Sequence, residues 1–97
     1  MATVIDGDFE WDSAKAESNL AKHGVTFEEG ESAVLDERAV FVTDEAVSAE
    51  ERFRVIGMSM LSRVLLVVLV ERGERDRIIS ARPATRAEEE IYHGEYS

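Results

Sequence analysis

LSRVLLVVLVERGERDRIISAR, from Leu61 to Arg82, is the stretch of this sequence on which the fold depends. Its seven consecutive apolar residues, Val64 to Val70, are mostly β-branched, which favours a strand buried on both faces. The run is too short for a membrane helix, which needs about 20 apolar residues. A polar turn from Glu71 to Asp76 follows, in which Gly73 can adopt a positive φ. The second strand is predicted from Arg77 to Arg82 and ends at Pro83, which has no N–H to donate. The stretch predicts a central β-hairpin.

More strands are predicted before the hairpin. From Arg52 to Ser59, one side of an extended chain would carry Phe53, Val55 and Gly57 and the other Arg54, Ile56 and Met58. This alternation predicts a strand that extends the hairpin into an antiparallel meander. The composition of Ala39 to Thr43 favours another strand. The acidic segment TDEAVSAEE between them, residues 43–51, is predicted to be a surface loop.

Two helices are predicted near the start of the chain. Asp12 is a good N-cap and Gly24 a good C-terminal residue for a first helix of about three turns. Thr26 and Glu29 have the spacing of a capping box for a second helix. The predicted apolar sides consist of Ala14, Leu20 and Ala21 in the first helix, and of Phe27, Ala33, Val34 and Leu35 in the second.

A final helix is predicted after Pro83. Thr85 and Glu88 have the spacing of another capping box, and Ile91 is its expected apolar anchor.

The segment TVIDGDFEW, residues 3–11, predicts an edge strand with Phe9 and Trp11 on one side. Four carboxylates in and directly after this segment lie on its other side if the strand stays extended: Asp6, Asp8, Glu10 and Asp12. Carboxylate oxygens can bind a hard cation. No bent loop with calcium-binding spacing follows. We therefore expect a solvated strand edge, which also discourages edge-to-edge aggregation, and no metal or other cofactor.

Length and composition indicate one small domain spanning residues 1–97, and the strands and helices predicted in it make its class α+β. The chain has no cysteine, so it can form neither a disulfide nor a thiolate metal site. The first residues, MATVIDGDFEWD, are acidic where a signal peptide is basic and then apolar. We expect a cytoplasmic protein without membrane association.

The net charge of −10 is unevenly distributed. From Arg52 to Arg86 there are eight arginines and three acidic residues, a balance of +5. The rest of the chain has three cations and 18 acidic residues, a balance of −15. This asymmetry suggests one surface for a polyanion and another for a basic partner. The alternative is that the charges merely solvate a small surface.

Five motifs follow one another in an order that is similar to a known family. They are FEWD at residues 9–12, KHGVTFEE at 22–29, ERF at 51–53, IG at 56–57 and RIISARPATRAEEEIY at 77–92. Each motif is weak alone, but their order and spacing over about 84 positions resemble those of the BrnT-type toxins of bacterial type II toxin–antitoxin systems.

The resemblance implies a RelE-like ribonuclease fold, with an N-terminal strand, two helices, a strand meander forming a small antiparallel β-sheet, and a C-terminal helix. It implies RNA as substrate. It also implies a neutralising partner, a BrnA-like antitoxin with a DNA-binding ribbon-helix-helix domain, so that this chain would not bind DNA by itself.

A metal-independent ribonuclease can use the 2′-OH of its substrate as the nucleophile. It then needs a proton acceptor, a cation that stabilises the charged phosphorane, and a proton donor for the leaving oxygen. Arginine suits the second role because its N–H donors fit phosphate oxygens. We select Arg82 with Arg63, since antiparallel pairing brings the end of one strand beside the start of the next. Strand alternation places Arg77 on the opposite face from Arg82.

Other candidates complete the predicted site. His23 can exchange protons near neutral pH, and Tyr92 can stack on a base or donate a proton. Contacts with RNA phosphates are assigned to Arg52, Arg77, Arg86 and Lys22. Structural roles remain open: each arginine can instead bond a helix end or an acidic residue, His23 can stabilise a helix C-terminus, and Tyr92 can border the core.

Three functions are compared. The first is an endoribonuclease toxin. The alternative is a catalytically weak or inactive toxin homologue acting as a protein-binding module, since the acidic run from Glu88 to Glu90 follows Arg86 and would repel a phosphate backbone. A metal-dependent hydrolase has least support, because only scattered carboxylates and two distant histidines favour it.

Overall fold

The structure is a computed structural model that describes residues 2–43 and 52–94 of the 97. The strands in these ranges are β1 (Thr3–Asp6), β2 (Phe9–Asp12), β3 (Val40–Thr43), β4 (Arg52–Met58), β5 (Val64–Arg72) and β6 (Arg75–Pro83). The helices are α1 (Ser13–His23), α2 (Phe27–Val34) and α3 (Arg86–Gly94). All six strands belong to one sheet, in the order β1-β2-β6-β5-β4-β3.

The predicted central hairpin and meander are confirmed. Strand β5 pairs antiparallel with both β4 and β6, and β6 ends at Pro83. Gly73 has a φ of 64° in the hairpin turn, a conformation that glycine adopts without steric cost. The strands extend closer to the turn than predicted, since Arg72 pairs with Arg75.

Strand β5 is buried on both faces, as its apolar run predicts. On one face, Leu65, Val67 and Leu69 belong to the main core beneath α1 and α2. On the other face, Leu66 packs with Ile56 and with Tyr92 of α3 in a smaller cluster. The sheet therefore has two differently covered faces.

The start of the chain differs from the prediction of one extended strand. Gly7 has a φ of 59°, and β1 folds back antiparallel on β2. Strand β2 then pairs parallel with β6, so the sheet is not wholly antiparallel. Phe9 and Trp11 are buried in the main core, which confirms that they share a side.

The reversal at Gly7 also separates the four early carboxylates. Asp6 and Asp8 lie on either side of the turn, whereas Asp12 accepts a hydrogen bond from the Ala14 N–H at 2.8 Å and caps α1. The predicted continuous row of carboxylates is therefore wrong. Among residues 2–43 and 52–94, no cluster of acidic and histidine side chains could hold a metal ion.

The helix ends are as predicted, but four of the predicted apolar positions are exposed: Leu20, Ala21, Leu35 and Ile91. Gly24 has a φ of 68° after α1, and the hydroxyl of Thr26 accepts a bond from the Glu29 N–H at 3.0 Å. Leu20, however, is exposed, because Asn19 is the buried residue of α1. In α3, Ile91 is 44% exposed and Tyr92 only 5%.

The predicted acidic loop falls mainly at residues 44–51, outside the described ranges. A span of the membrane would need a longer and more apolar helix than any found in the described residues.

Gly57 of β4 lies directly against α2. A Cβ atom at this position would overlap the carbonyl oxygen of Ala33, which belongs to the backbone. We predict that Gly57→Ala lowers the free energy of unfolding by about 3 kcal/mol, because the helix must move away from the sheet. Urea unfolding measures this loss. Gly94→Ala is the control, since within the described residues no atom outside its own helix backbone and chain neighbours lies within 4 Å of the added Cβ. Equal stability of the two variants would contradict this packing.

Candidate functional site

Six arginines lie on one face of three neighbouring strands. Side chains alternate along a strand, so residues in phase with Leu66 and Ile56 share the face that α3 covers at one end. In the described chain, the rest of this face is not covered by a helix. We call it the arginine face, and its members are Arg52 and Arg54 of β4, Arg72 of β5, and Arg75, Arg77 and Arg82 of β6.

The strand register arranges this face in rows. Val70 pairs with Arg52 on one side and Arg77 on the other. Two strand spacings separate those arginines, about 10 Å between their backbones. In the next row, Val68 pairs with Arg54 and Ser80. Half-buried valines therefore form a floor between flanking cations.

A β-bulge explains why Arg77 and Arg82 share this face. The register shifts between Val68 and Leu69, so that Ile78 and Ala81 are both buried in the main core despite their odd spacing. The prediction that Arg77 and Arg82 lie on opposite faces is wrong, since simple alternation does not hold across a bulge.

Glu88 holds Arg82 in place. Two guanidinium nitrogens of Arg82 donate to the two carboxylate oxygens of Glu88, at 2.8 and 3.0 Å, and Nη1 also donates to the Pro83 carbonyl. Glu88 and Thr85 form the predicted capping box, with bonds of 2.8 and 3.2 Å. The hydrogen bond from Arg82 outweighs burial and lowers the pKa of Glu88.

The pairing with Glu88 does not use all the donors of Arg82. A guanidinium has five N–H groups, and the bonds to Glu88 and Pro83 use three of them. Two N–H groups are left without a partner among the described residues. Arg82 can therefore bind an anion while Glu88 keeps its side chain in position. Arg77 is held similarly, by a 2.6 Å bond to Glu10.

Arg63 lies on the other side of the sheet. Its guanidinium forms a two-pronged ion pair with the buried carboxylate of Glu29 and donates to the Gly24 carbonyl at 3.1 Å. The predicted proximity of Arg63 to Arg82 in one site is therefore wrong: the strand ends are adjacent, but the side chains serve opposite faces.

Glu29 also differs from its predicted capping role. Its carboxylate turns inward, where it accepts bonds from Arg63 and from the Ser59 hydroxyl at 2.7 Å. The hydrogen bond from Arg63 is the largest influence and lowers the pKa of Glu29, although burial opposes it. This ion pair joins the end of α1, the turn between β4 and β5, and α2.

Tyr92 is buried between α3 and the end of the sheet face that also holds the arginines. Its hydroxyl donates to the Asp36 carboxylate at 2.5 Å, and the Met58 N–H donates to the same oxygen at 2.9 Å. Burial by itself would raise the pKa of Asp36, but these bonds and those from Arg38 lower it. Tyr92 thus fixes α3 to the sheet.

His23 and Lys22 lie in a cleft between α1 and β6. The cleft has a volume of about 280 Å³. Its lining is formed by Lys15, Ser18, Asn19, Lys22 and His23 of α1 together with Ile79 and Ser80 of β6. Ser80 also belongs to the middle row of the arginine face, so the cleft opens at the edge of that face.

The structure divides the predicted site residues among several places. Arg52, Arg77 and Arg82 share the arginine face, and the exposed Arg86 begins α3. Three arginines that we did not predict complete the face, and alternation along the strands would have indicated Arg54. The spacing of the polar residues of α1 is the signal that would have found Lys15.

The surface beyond α2 is acidic. Burial is the largest influence on Glu31 and, with the nearby carboxylates of Asp6 and Glu28, raises its pKa to about 7. One Glu31 carboxyl oxygen is buried without a hydrogen-bond partner in the described residues. The described residues thus include an acidic surface around Glu31 as well as the arginine face, which is suited to a polyanion.

Comparisons with known proteins agree with this arrangement. A family model described as the ribonuclease toxin BrnT of type II toxin–antitoxin systems matches residues 11–88. The crystal structure of the Brucella abortus ribonuclease toxin BrnT, at 1.1 Å resolution, is similar: it is 28% identical, the match covers 78% of this chain and 94% of that chain, and the TM-score is 0.61. No curated protein matches.

The chain belongs to the family of BrnT ribonuclease toxins. The predicted family and the α+β fold class are therefore confirmed. Membership of a type II toxin–antitoxin family implies an RNA substrate and an antitoxin as partner.

Glu31→Gln tests the acidic surface. The pKa of Glu31 is about 7 in the folded state, above the ordinary value of 4.5, so the folded state binds this proton more tightly than the unfolded state does. The protein without substitutions therefore loses stability as pH rises from about 4.5 to about 7. We predict that the variant exceeds the native chain in stability at pH 8 by on the order of 1 kcal/mol, allowing for solvent screening, and by less at pH 5. Urea unfolding at both pH values measures the difference, with the exposed Glu37→Gln as control. A difference that does not grow with pH would contradict this interpretation.

Proposed function

We propose that this chain is a metal-independent endoribonuclease toxin that binds RNA on the arginine face. The observation that carries the proposal is the placement of six arginines from three adjacent strands on one face, around a floor of half-buried valines. Arginine pairs with phosphate through fixed N–H donors, and phosphate contacts supply much of the affinity for nucleic acid.

The reaction begins with attack of a substrate 2′-OH on the adjacent phosphate. The bond from phosphorus to the 5′-oxygen breaks, the 5′-oxygen leaves with a proton, and the other product ends in a 2′,3′-cyclic phosphate. Arg82 stabilises the negative charge of the phosphorane, because Glu88 holds its guanidinium in place and two N–H groups remain for the phosphate oxygens. His23 is the candidate for accepting or returning the proton, since its cleft opens beside Ser80 at the edge of the arginine face.

The remaining candidates have supporting roles in this proposal. Arg52, Arg77 and Arg86 bind phosphates on either side of the cut, and Lys22 binds at the cleft. Arg63 and Tyr92 stabilise the fold and do not contact RNA in this proposal, because Arg63 already pairs with Glu29 and Tyr92 with Asp36.

The proposal extends to the partner and the setting. The substrate is cellular RNA such as mRNA in the cytoplasm, and residues 1–97 act as a single toxin domain. A BrnA-like antitoxin neutralises it and supplies the ribbon-helix-helix domain that binds DNA. The family's toxin–antitoxin assignment supports the partnership.

A protein-binding module with weak or no catalysis is the second candidate. The observation favouring it is that Arg77 and Arg82 are each paired with a carboxylate, and that Glu89 and Glu90 lie exposed on α3. These acidic groups weaken the attraction of this surface for phosphate.

Arg82→Ala separates the two candidates. We predict that induced native chain arrests bacterial growth and cleaves single-stranded RNA in the presence of chelator, and that Arg82→Ala lowers the cleavage rate by about 100-fold, because one preorganised donor group is lost. Arg82→Lys should be intermediate, since it keeps the charge without the fork. Arg38→Ala removes an equal charge at a residue that is not part of the arginine face and should retain activity.

Thermal unfolding must show that the variants are folded. Cleavage that is unaffected by Arg82→Ala would contradict the assigned site. Harmless expression of the native chain together with a lack of cleavage would favour the binding module.

A further inference from the structure

The cleft beside β6 is lined by one polar stripe of α1. Its residues have the spacing i, i+3, i+4, i+7 and i+8, which places them on the same side of a helix. They are Lys15, Ser18, Asn19, Lys22 and His23. Asn19 is buried and His23 half-buried, whereas the other three side chains are exposed, so the stripe lies where α1 borders both the sheet and solvent.

Asn19 fixes the helix against the strand. Its side-chain amide donates to the Ala81 carbonyl at 2.7 Å and accepts from the Ala81 N–H at 3.2 Å, as a neighbouring strand would. It also donates to the Val25 carbonyl at 3.0 Å. Strand β2 pairs with β6 only at Asp76 and Arg77, so α1 takes over the strand edge beyond them. The buried hydrogen bonds of Asn19 therefore fix the position of α1 beside β6, and the cleft lies between these two elements.

Helix stability does not explain all the cations. Lys22 and His23 lie in the last turn of α1, where positive charge is favourable. Lys15 lies near the helix N-terminus, where positive charge is unfavourable, and the first turn contains no acidic residue. None of the seven lining residues is acidic. The three basic groups thus converge on a cleft without a carboxylate in its wall.

We propose that this cleft binds a backbone phosphate of single-stranded RNA, one position away from the phosphate held on the arginine face. The inference rests on the proposed ribonuclease function and adds Lys15, Ser18 and Ser80 to its substrate contacts. Ser80 connects the two surfaces, and a strand of RNA lying across the edge of β6 contacts both. The volume of about 280 Å³ is below the range of about 300–1,000 Å³ that encloses drug-sized ligands. It has room for one phosphate with its ribose, and we expect a rigid base-paired helix to fit it poorly.

The test is binding of a short 2′-O-methyl oligoribonucleotide, which lacks the attacking hydroxyl and is not cut. Fluorescence anisotropy over a salt series gives the affinity and its salt dependence. We expect the double variant Lys15→Gln, Lys22→Gln to bind about tenfold more weakly. The slope of log affinity against log salt should fall by about 0.7, the value for one phosphate contact on a single strand.

Two controls accompany the double variant. Lys15→Arg with Lys22→Arg should restore binding, because the charge is retained. Arg38→Gln removes a positive charge away from both surfaces and should have little effect. The affinity for a duplex of the same sequence should be the same for the lysine variants and the native chain.

Failure of this inference is distinguishable from failure of the proposed function. Arg77→Gln and Arg82→Gln are measured in parallel. If they weaken binding while the lysine double variant resembles Arg38→Gln, the cleft is not a phosphate site, but the arginine face stands. If neither the arginine nor the lysine variants weaken binding, both proposals are overturned.

Discussion

Strand β5 must bury apolar side chains on both of its faces, and the rest of the structure follows from how this is achieved. The main core covers one face beneath α1 and α2. On the other face, α3 is short, and it covers Ile56 and Leu66 through the single buried ring of Tyr92. Val68 and Val70 continue along that face and are only half-buried. A strand that is apolar enough to need two layers thus leaves a partly open surface, and the chain surrounds it with arginines.

Two arginines form ion pairs with different consequences: Arg63 with Glu29 stabilises the fold, whereas Arg82 with Glu88 remains on the binding surface. The carboxylate of Glu29 is 2% exposed, so the loss of Arg63 would leave a buried charge unpaired. Arg63 is therefore committed to stabilising the fold. Arg82 pairs with Glu88 at the start of α3, where 32% of its side chain remains exposed and two N–H groups remain for another anion. Arg63 and Arg82 lie at adjacent strand ends but have different roles, because Arg63 faces the buried Glu29 and Arg82 faces the half-buried Glu88.

Local sequence rules predicted much of this fold. The apolar run, Gly73 and Pro83 define the hairpin, while Asp12, Gly24, Thr26 and Thr85 mark helix ends through contacts with their own neighbours in sequence. Positions that depend on distant contacts were not predicted. The bulge in β6, the choice of Tyr92 over Ile91 and the inward turn of Glu29 all require knowledge of what packs across the sheet. The same limit affected the site: Arg52, Arg77 and Arg82 were named, but the pairing of Arg82 with Arg63 was not correct.

The central claim is that the arginine face is the RNA-binding surface. Nuclear magnetic resonance tests it most directly, by following the backbone amide signals while an uncleavable 2′-O-methyl oligoribonucleotide is added. The account predicts that the largest shifts occur in β4, β5 and β6 around Val68, Val70 and Ser80, and extend to α1 at Lys22 and His23. Shifts concentrated in α2, around Glu28 and Glu31, with an unchanged sheet, would contradict it.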